Sequence, residues 1–221
     1  MSARFEALLS CIKGAECLAD IGCDHAYVAI EAVKRKLAKK AIACDISPGP
    51  LGAAKKNIEQ SGLQVEYRLG DGLCPIHENE ADFVVIAGMG GMRILGILGE
   101  NTCKVGNATI IMQPQHDFEK LRMGLFGLGM GIACEKLVKD DGRFYEIIVA
   151  NKNHSPVLLS QMECFLGSHS CGLAMEFYLH KKEKIEKYID RITDTKLKEK
   201  AHRELGALNS RLLYTSSKSW N

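Results

Sequence analysis

What this chain of 221 residues lacks already narrows the field. No apolar run approaches the roughly 20 residues that a membrane-spanning helix needs. The opening Met1-Ser2-Ala3-Arg4-Phe5-Glu6 lacks a signal peptide's apolar stretch. Proline is scarce, at 5 residues, and the aromatics amount to one Trp, six Tyr and seven Phe. The nine cysteines are odd in number and widely spaced, with no Cys-x-x-Cys pair. That pattern argues against a disulfide framework and a zinc knuckle, leaves no metal site expected, and favours buried free thiols in a reducing compartment. No membrane association and a cytoplasmic location are the expectations.

What is present fits an ordinary globular chain: 46% hydrophobic, 25% charged, 21 glycines and a net charge of +2. Collagenous, mucin-like and wholly disordered classes are excluded. The length allows one generous domain and an appendage. The near-neutral total hides an asymmetry, because residues 172–221 carry 11 Lys and Arg against 7 Asp and Glu, and the remainder 18 against 20. A basic tail suits a polyanionic partner, and equally a solvated helix face.

To about residue 150, short apolar runs alternate with amphipathic stretches, as in repeated βαβ units. Strands are expected at Glu16–Ile21, Ala41–Ile46, Val65–Leu69, Asp82–Ala87, Thr109–Met112, near Ile132–Val138 and at Tyr145–Ala150. Helices are expected at Tyr27–Arg35, Pro50–Ser61, Met92–Glu100 and Phe118–Leu128. Five strands separated by helices make a parallel sheet covered on both faces. Only Lys139-Asp140-Asp141-Gly142-Arg143 joins the last two strands, too little for a crossover, so they form an antiparallel edge hairpin. The fold expected is α/β, with a mostly parallel seven-stranded sheet.

Beyond Leu173, Ile185, Tyr188/Ile189 and Ile192 repeat at helical spacing, as do Ala201, Leu205, Leu208 and Leu212. The phase slips at Thr193-Asp194-Thr195, a helix stop and new N-cap. A helical hairpin or coiled coil explains the slip, with one long kinked helix as the alternative. Asn151–Cys171 reads as the connection, and Leu158–Leu166 can add a short helix. The expected division is 1–153 for the α/β domain and 154–221 for the helical tail.

The chemistry gathers at the strand ends. The first strand runs into Asp20-Ile21-Gly22-Cys23-Asp24-His25-Ala26, where Gly22 lets backbone approach a ligand. The dinucleotide fingerprint G-x-G-x-x-G fails because Asp24 replaces its second glycine, and a carboxylate there repels a pyrophosphate. The second strand ends at Asp45-Ile46, an acid able to hold both ribose hydroxyls of a nucleoside. The third ends in Gly70-Asp71-Gly72, with an acid placed to accept from an adenine amine, and the fourth in Gly88-Met89-Gly90-Gly91. The fifth ends in Gln113-Pro114-Gln115. Each acid alone reads more readily as a cap or turn residue, but three at one sheet edge suit a ligand with an adenosine and a positive sulfonium. His25 reads as a packing histidine. The basic run Lys34–Lys40 reads as a phosphate contact or a solvated helix end.

A doubly wound sheet closed by an antiparallel hairpin is the build of Rossmann-like class I S-adenosylmethionine-dependent methyltransferases. Within that class, Ala19-Asp20-Ile21-Gly22-Cys23-Asp24-His25-Ala26-Tyr27 resembles the bacterial tRNA (adenine-N1)-methyltransferase family TrmK, which modifies position 22 of the D-arm. So do Gly70–Leu73, Ile86–Gly91, Gln113-Pro114, Asp141–Glu146 and the opening Ser2–Phe5. The resemblance covers roughly residues 2–150. It implies S-adenosylmethionine as cofactor, held by Asp20, Gly22, Asp45, Ile46, Asp71, Gly72 and Gly88. It implies tRNA as partner, with Asp24 facing the target adenine and Met89, Gly90, Gln113, Pro114 and Gln115 on the substrate side. The family pattern has Asn where Gln115 stands. A monomer is the default, though the residues leave oligomeric state open.

Enzymes that methylate an exocyclic amine through an Asn/Asp-Pro-Pro-Tyr/Phe string carry it after strand four, where this chain has Gly88-Met89-Gly90-Gly91. Ring-nitrogen attack therefore fits better. With few aromatics for stacking, RNA binding should rest on phosphates and shape. The alternatives are a class I methyltransferase for a small molecule or protein, and a non-catalytic RNA-binding protein on the same scaffold.

Overall fold

The apolar runs of the first 151 residues become one sheet in the computed structural model, which describes residues 1–169 and 172–217. Ser170, Cys171 and residues 218–221, the close of the expected connection and of the tail, lie outside the described residues. The strands are β1 (Ala15–Ile21), β2 (Ala38–Asp45), β3 (Val65–Leu69), β4 (Phe83–Met89), β5 (Thr109–Pro114), β6 (Gly131–Asp140) and β7 (Arg143–Asn151). They lie in the order β3-β2-β1-β4-β5-β7-β6. All pairings from β3 to β5 are parallel, while β7 runs antiparallel to both β5 and β6. Asp141 and Gly142, at φ 47° and 72°, form the two-residue turn between Asp140 and Arg143. Positive φ at both positions is what a type I′ hairpin requires.

Strand alternation sorts the core into two layers. Ile42, Cys44, Val84, Ile86, Ile110 and Met112 face α4 (Gly91–Glu100), α5 (Thr102–Val105) and α6 (Phe118–Gly127). Ala41, Ala43, Val85 and Ile111 face α1 (Ala3–Leu9), α2 (Tyr27–Lys34) and α3 (Pro48–Ser61). The central strands are buried on both faces, which is why they read as unbroken apolar runs. Truncating a fully buried member such as Ile111 to Ala costs about 2–5 kcal/mol. Gly62 at φ 64° closes α3 as a left-handed cap.

The boundaries moved in places. β2 starts at Ala38 and stops at Asp45, so Ile46 stands outside the strand, exposed, where Asp45 turns the chain. α3 begins at Pro48 because Pro suits the first helical turn. The short α5 carries no periodicity long enough to read.

The tail forms α7 (Gln161–Leu166), α8 (Ala174–Ile189) and α9 (Thr195–Ser217). A capping box of Ser160 and Glu163 starts α7. The phase slip separates two helices rather than kinking one: Asp194 accepts from the Leu197 amide at 2.9 Å and opens α9. The helices fold back on one another, bringing Arg211 of α9 over the Tyr178 ring of α8, with 5.9 Å to its centroid. Their core, built on Phe177, Tyr178, Ile185, Ile189, Ala201 and Leu208, takes in Leu137 of β6, with Phe144 of β7 packed against it.

Candidate active site

At the carboxyl edge of the sheet a cleft of ≈ 330 Å³ opens between β1, β4 and α1. Asp20, Gly22, Cys23, Asp24, His25 and Tyr27 line one wall. Ala87, Gly88 and Gln113 line the second, and Arg4, Phe5 and Leu8 of α1 the third. The wall that follows β1 is a tight turn with Gly22, Asp24 and Ala26 at φ 69°, 50° and 59°. Two non-glycine residues in that region store strain of the kind found where a loop is shaped for a ligand. At Gly22 a Cβ would meet Met89 Cε at 2.2 Å, so glycine is needed for space as well as for its dihedral.

The acids at the strand tips also hold the backbone. Asp20 is buried, and its Oδ2 accepts from the Ala29 amide at 3.3 Å, capping the first turn of α2. Burial pushes its carboxyl up to about 7, against the pull of the Ala29 bond and with a push from Asp45. Asp45 accepts from the Ser47 amide at 2.9 Å and the Asp24 amide at 3.2 Å, one on each oxygen. A carboxylate oxygen has two lone pairs, so each keeps one for a further donor. The Asp24 side chain stays exposed, 3.6 Å from His25 Nε2, and the His25 ring stacks on Tyr27 at 5.4 Å.

The remaining sequence-derived candidates lie around the cleft. Asp71 is exposed and ion-paired to Arg93 of α4. At Gly72 a Cβ would meet Ile97 at 2.9 Å, so that glycine serves close packing. Gly88, exposed at φ 78°, puts no side chain on the second wall. The loops after β4 and β5 are stitched together: the Gln115 amide donates to Met89 O and the Gly91 amide to His116 O, both at 2.9 Å. Gly90 is packed against the His116 ring. Pro114 is buried, Gln115 exposed, and Gln113 fully buried with its Nε2 donating to Pro114 O at 2.8 Å. The geometry thus brings Asp20, Gly22, Asp24, Gly88 and Gln113 into one cleft and ties Asp45 to it through the Asp24 amide. Ile46, Asp71, Gly72, Met89, Gly90, Pro114 and Gln115 do not line it.

Residue-by-residue reasoning passed over Arg4 and Tyr145. The Arg4 guanidinium lies over the Tyr145 ring, 5.1 Å from its centroid, and 3.5 Å from Gln113 Oε1. Their only signal was membership of the two strings Ser2–Phe5 and Asp141–Glu146. The basic run at 34–40 is partly spent on acids: Arg35 on Glu6 and Glu31, Lys34 on Glu31, and Lys39 on Glu16. Among the described residues no helix is long and apolar enough to cross a membrane, and no group of His, Cys, Asp and Glu is arranged to hold a metal.

Sheet order, inserted β7 and a glycine-cornered cleft at the carboxyl edge define the Rossmann-like methyltransferase class. Residues 1–148 match the family described as methyltransferase domain. The tRNA (adenine(22)-N(1))-methyltransferase of Bacillus subtilis (strain 168) is 38% identical over 153 residues, spanning 68% of this chain and 64% of that enzyme's length. A Streptococcus pneumoniae structure titled as a putative tRNA (m1A22) methyltransferase superposes with TM-score 0.89 at 31% identity, covering 96% of this chain and 99% of that one. M. capricolum TrmK, solved with S-adenosyl-homocysteine, superposes with TM-score 0.85 at 27% identity, covering 96% and 97%. The chain belongs to the tRNA (adenine(22)-N1)-methyltransferase family.

Proposed function

We propose that this protein transfers the methyl group of S-adenosylmethionine to N1 of an adenine at position 22, in the D-arm of tRNA. The observation that carries the reading is the cleft itself, which the exposed Asp24 and the bare Gly88 both line and where no amine-directed string follows β4.

The residues present fit the cofactor. Gly22 and Gly88 leave backbone open, Asp45 keeps a lone pair on each oxygen for ribose hydroxyls, and Asp20 is a buried acid that a nearby cation would ionise. Ile46, Asp71 and Gly72 complete the adenosine side in this reading. When bound, S-adenosylmethionine supplies an electrophilic methyl on a sulfonium. Much of the chain's own task is to position the reactants in line.

Adenine N1 carries an in-plane lone pair, so no proton need leave before attack. The product ring is cationic. Asp24 accepts from the adenine N6 amine and stabilises that charge as it develops, an electrostatic role. The stitched loops at Met89, Gly90 and Pro114–Gln115, with Gln113 behind them, bound the space for the incoming base. Because N1 is engaged in folded tRNA, the base must be flipped or locally opened to reach the cleft.

The same reading divides the chain into a methyltransferase domain, 1–153, and a helical tail, 154–221, that contacts RNA. Lys184, Lys187 and Arg191 support it: exposed on one side of α8 and just past its end, they form no ion pair among the described residues. The setting is the cytoplasm, where tRNA is modified.

The test is incubation with labelled S-adenosylmethionine and unmodified bacterial tRNA, then nucleoside mass spectrometry. N1-methyladenosine mapping to the D-arm is the expected result. Cofactor binding without any methylated nucleoside would overturn the substrate assignment.

A further inference from the structure

Edge strand β6 and helix α1 lie side by side, and bonds at both ends of the helix fix their register. At its start, Asp140 accepts from the amides of Ala3 and Arg4, each at 3.3 Å. Just past its end, Lys136 donates to Ser10 Oγ at 2.7 Å. From residue 134 to 140 the strand pairs with β7 without a register shift, so Cys134, Lys136, Val138 and Asp140 share the α1 face. Beyond Lys136 the next position on that face is Cys134, about 7 Å farther along the strand. The chain leaving α1 continues the same way, from Ser10 into the turn that holds Cys11. Burial pushes the Cys11 thiol up, the Lys136 ammonium pulls against it, and Cys134 adds to the push.

The two thiols differ in access. Cys134 is exposed and Cys11 partly covered, its Sγ donating to Ala7 O at 3.3 Å. Cys17, Cys23, Cys44 and Cys164 are buried. Cys74 and Cys103, the other exposed thiols among the described residues, belong to the opposite layer: Cys103 lies in α5 and Cys74 Sγ is 3.9 Å from Asn101 Oδ1. We propose that Cys11 and Cys134 form a thiol pair that a low-molecular-weight disulfide oxidises to a bridge between the turn after α1 and β6. The Cys134 thiolate attacks one sulfur of the oxidant, whose S–S bond breaks, and the departing thiolate takes up the proton Cys134 gave. Cys11 then gives up its proton and attacks the Cys134 sulfur, expelling the second small thiol. The protein loses two electrons and two protons, and the oxidant gains both. The bridge fastens the far end of α1 to β6, as Asp140 fastens its start, and so fixes the helix that carries Arg4, Phe5 and Leu8 into the cleft wall.

Oxidised glutathione added to the folded, fully reduced chain tests the pairing, with intact-mass spectrometry and peptide mapping as readouts. The wild type should lose the mass of two hydrogens, and the map should join the peptides of Cys11 and Cys134. Its urea midpoint should rise, and should return to the reduced value on adding dithiothreitol. Cys11→Ser should stop at the first step, with glutathione retained on Cys134. Cys134→Ser should lose the bridge and the shift in midpoint together. Wild-type Cys134 that keeps its glutathione, bonds another cysteine or a second chain, or stays reduced while Cys74 and Cys103 react would overturn the proposal.

Discussion

The backbone amide of Asp24 donates to Oδ2 of Asp45 at 3.2 Å, so the exposed acid leaving β1 and the acid at the tip of β2 belong to one turn. Substituting the two residues should therefore have different signatures. Asp45→Ala releases the Asp24 and Ser47 amides together, and should cut both S-adenosylhomocysteine affinity, by about tenfold or more, and methylation rate. Asp24→Asn keeps the turn and should leave affinity intact, while the rate at saturating cofactor falls by about 10²–10³. Single-turnover rates beside calorimetry separate the two. An Asp24→Asn enzyme at full rate would remove the electrostatic role.

Gly22→Ala should be harmful on two counts. Its φ of 69° is strained for any other residue, and its Cβ would collide with Met89 Cε. A loss of about 1–3 kcal/mol in urea unfolding is expected. Adding Met89→Ala should return only part of it, because the backbone strain stays.

Asp20 gives a pH dependence whose sign is fixed. Its folded-state value, raised from 3.8 to about 7, means that the folded protein holds this proton to higher pH than the unfolded chain. Its contribution to stability therefore falls as pH rises across that window. A cationic ligand favours the ionised form, so S-adenosylmethionine binding near pH 7 should release protons and tighten as pH rises. Calorimetry in buffers of different ionisation enthalpy reads that release, and Asp20→Asn should abolish this component.

Arg122 joins the tail to the sheet through a buried network. It donates to Glu135 Oε1 at 2.5 Å and to Cys164 O at 2.8 Å, and pairs with Glu146, which also bonds His169 Nε2 at 2.9 Å. Burial pushes the Glu146 carboxyl up, but Lys181, the His169 bond and Arg122 outweigh it and hold it down to about 2. The stability it contributes is complete above its ordinary 4.5 and is lost as pH falls toward 2. Arg122→Met takes the guanidinium from two buried carboxylates, leaving Glu146 only Lys181 and His169, and should cost about 3–5 kcal/mol in urea unfolding.

The RNA role proposed for the tail is best tested by substitution, because the tail's core shares Leu137 with the sheet and truncation would expose it. Replacing Lys184, Lys187 and Arg191 with Ser should weaken tRNA binding and flatten its salt dependence by about one phosphate per residue. S-adenosylhomocysteine affinity should not change. Undiminished tRNA affinity would remove this face from the interface.

Legibility followed range. The apolar runs of β1, β4 and β5 and the Asp141-Gly142 turn are local signals, and they carried the sheet and its hairpin. The acids were legible as strand-end residues, but not their backbone duties: Asp20 caps an amide nine residues on, and Asp45 holds one 21 residues back. Asp71 gave no hint of Arg93, because that pairing depends on where α4 lands. The cationic wall was hidden for the same reason, since Arg4 and Gln113 are 109 residues apart and meet only once α1 is pinned to Asp140. The run at 34–40 looked free for the converse reason, as Glu6 and Glu16 reach it from elsewhere in the chain.

The place of β7 between β5 and β6 has a consequence for a chain made from its N-terminus. When β6 emerges from the ribosome it has no neighbour to join, because the strand that links it to β5 has not been synthesised. Until residue 151 is out, β5 presents an open parallel edge and β6 an unmatched ribbon, the surfaces on which nascent chains pair wrongly. The tight turn at Asp141-Gly142 shortens that interval, since β7 can fold back on β6 at once and the finished hairpin can then dock on β5 as a unit. α8 and α9 follow, and the apolar side they present finds Leu137 and Phe144 already in place.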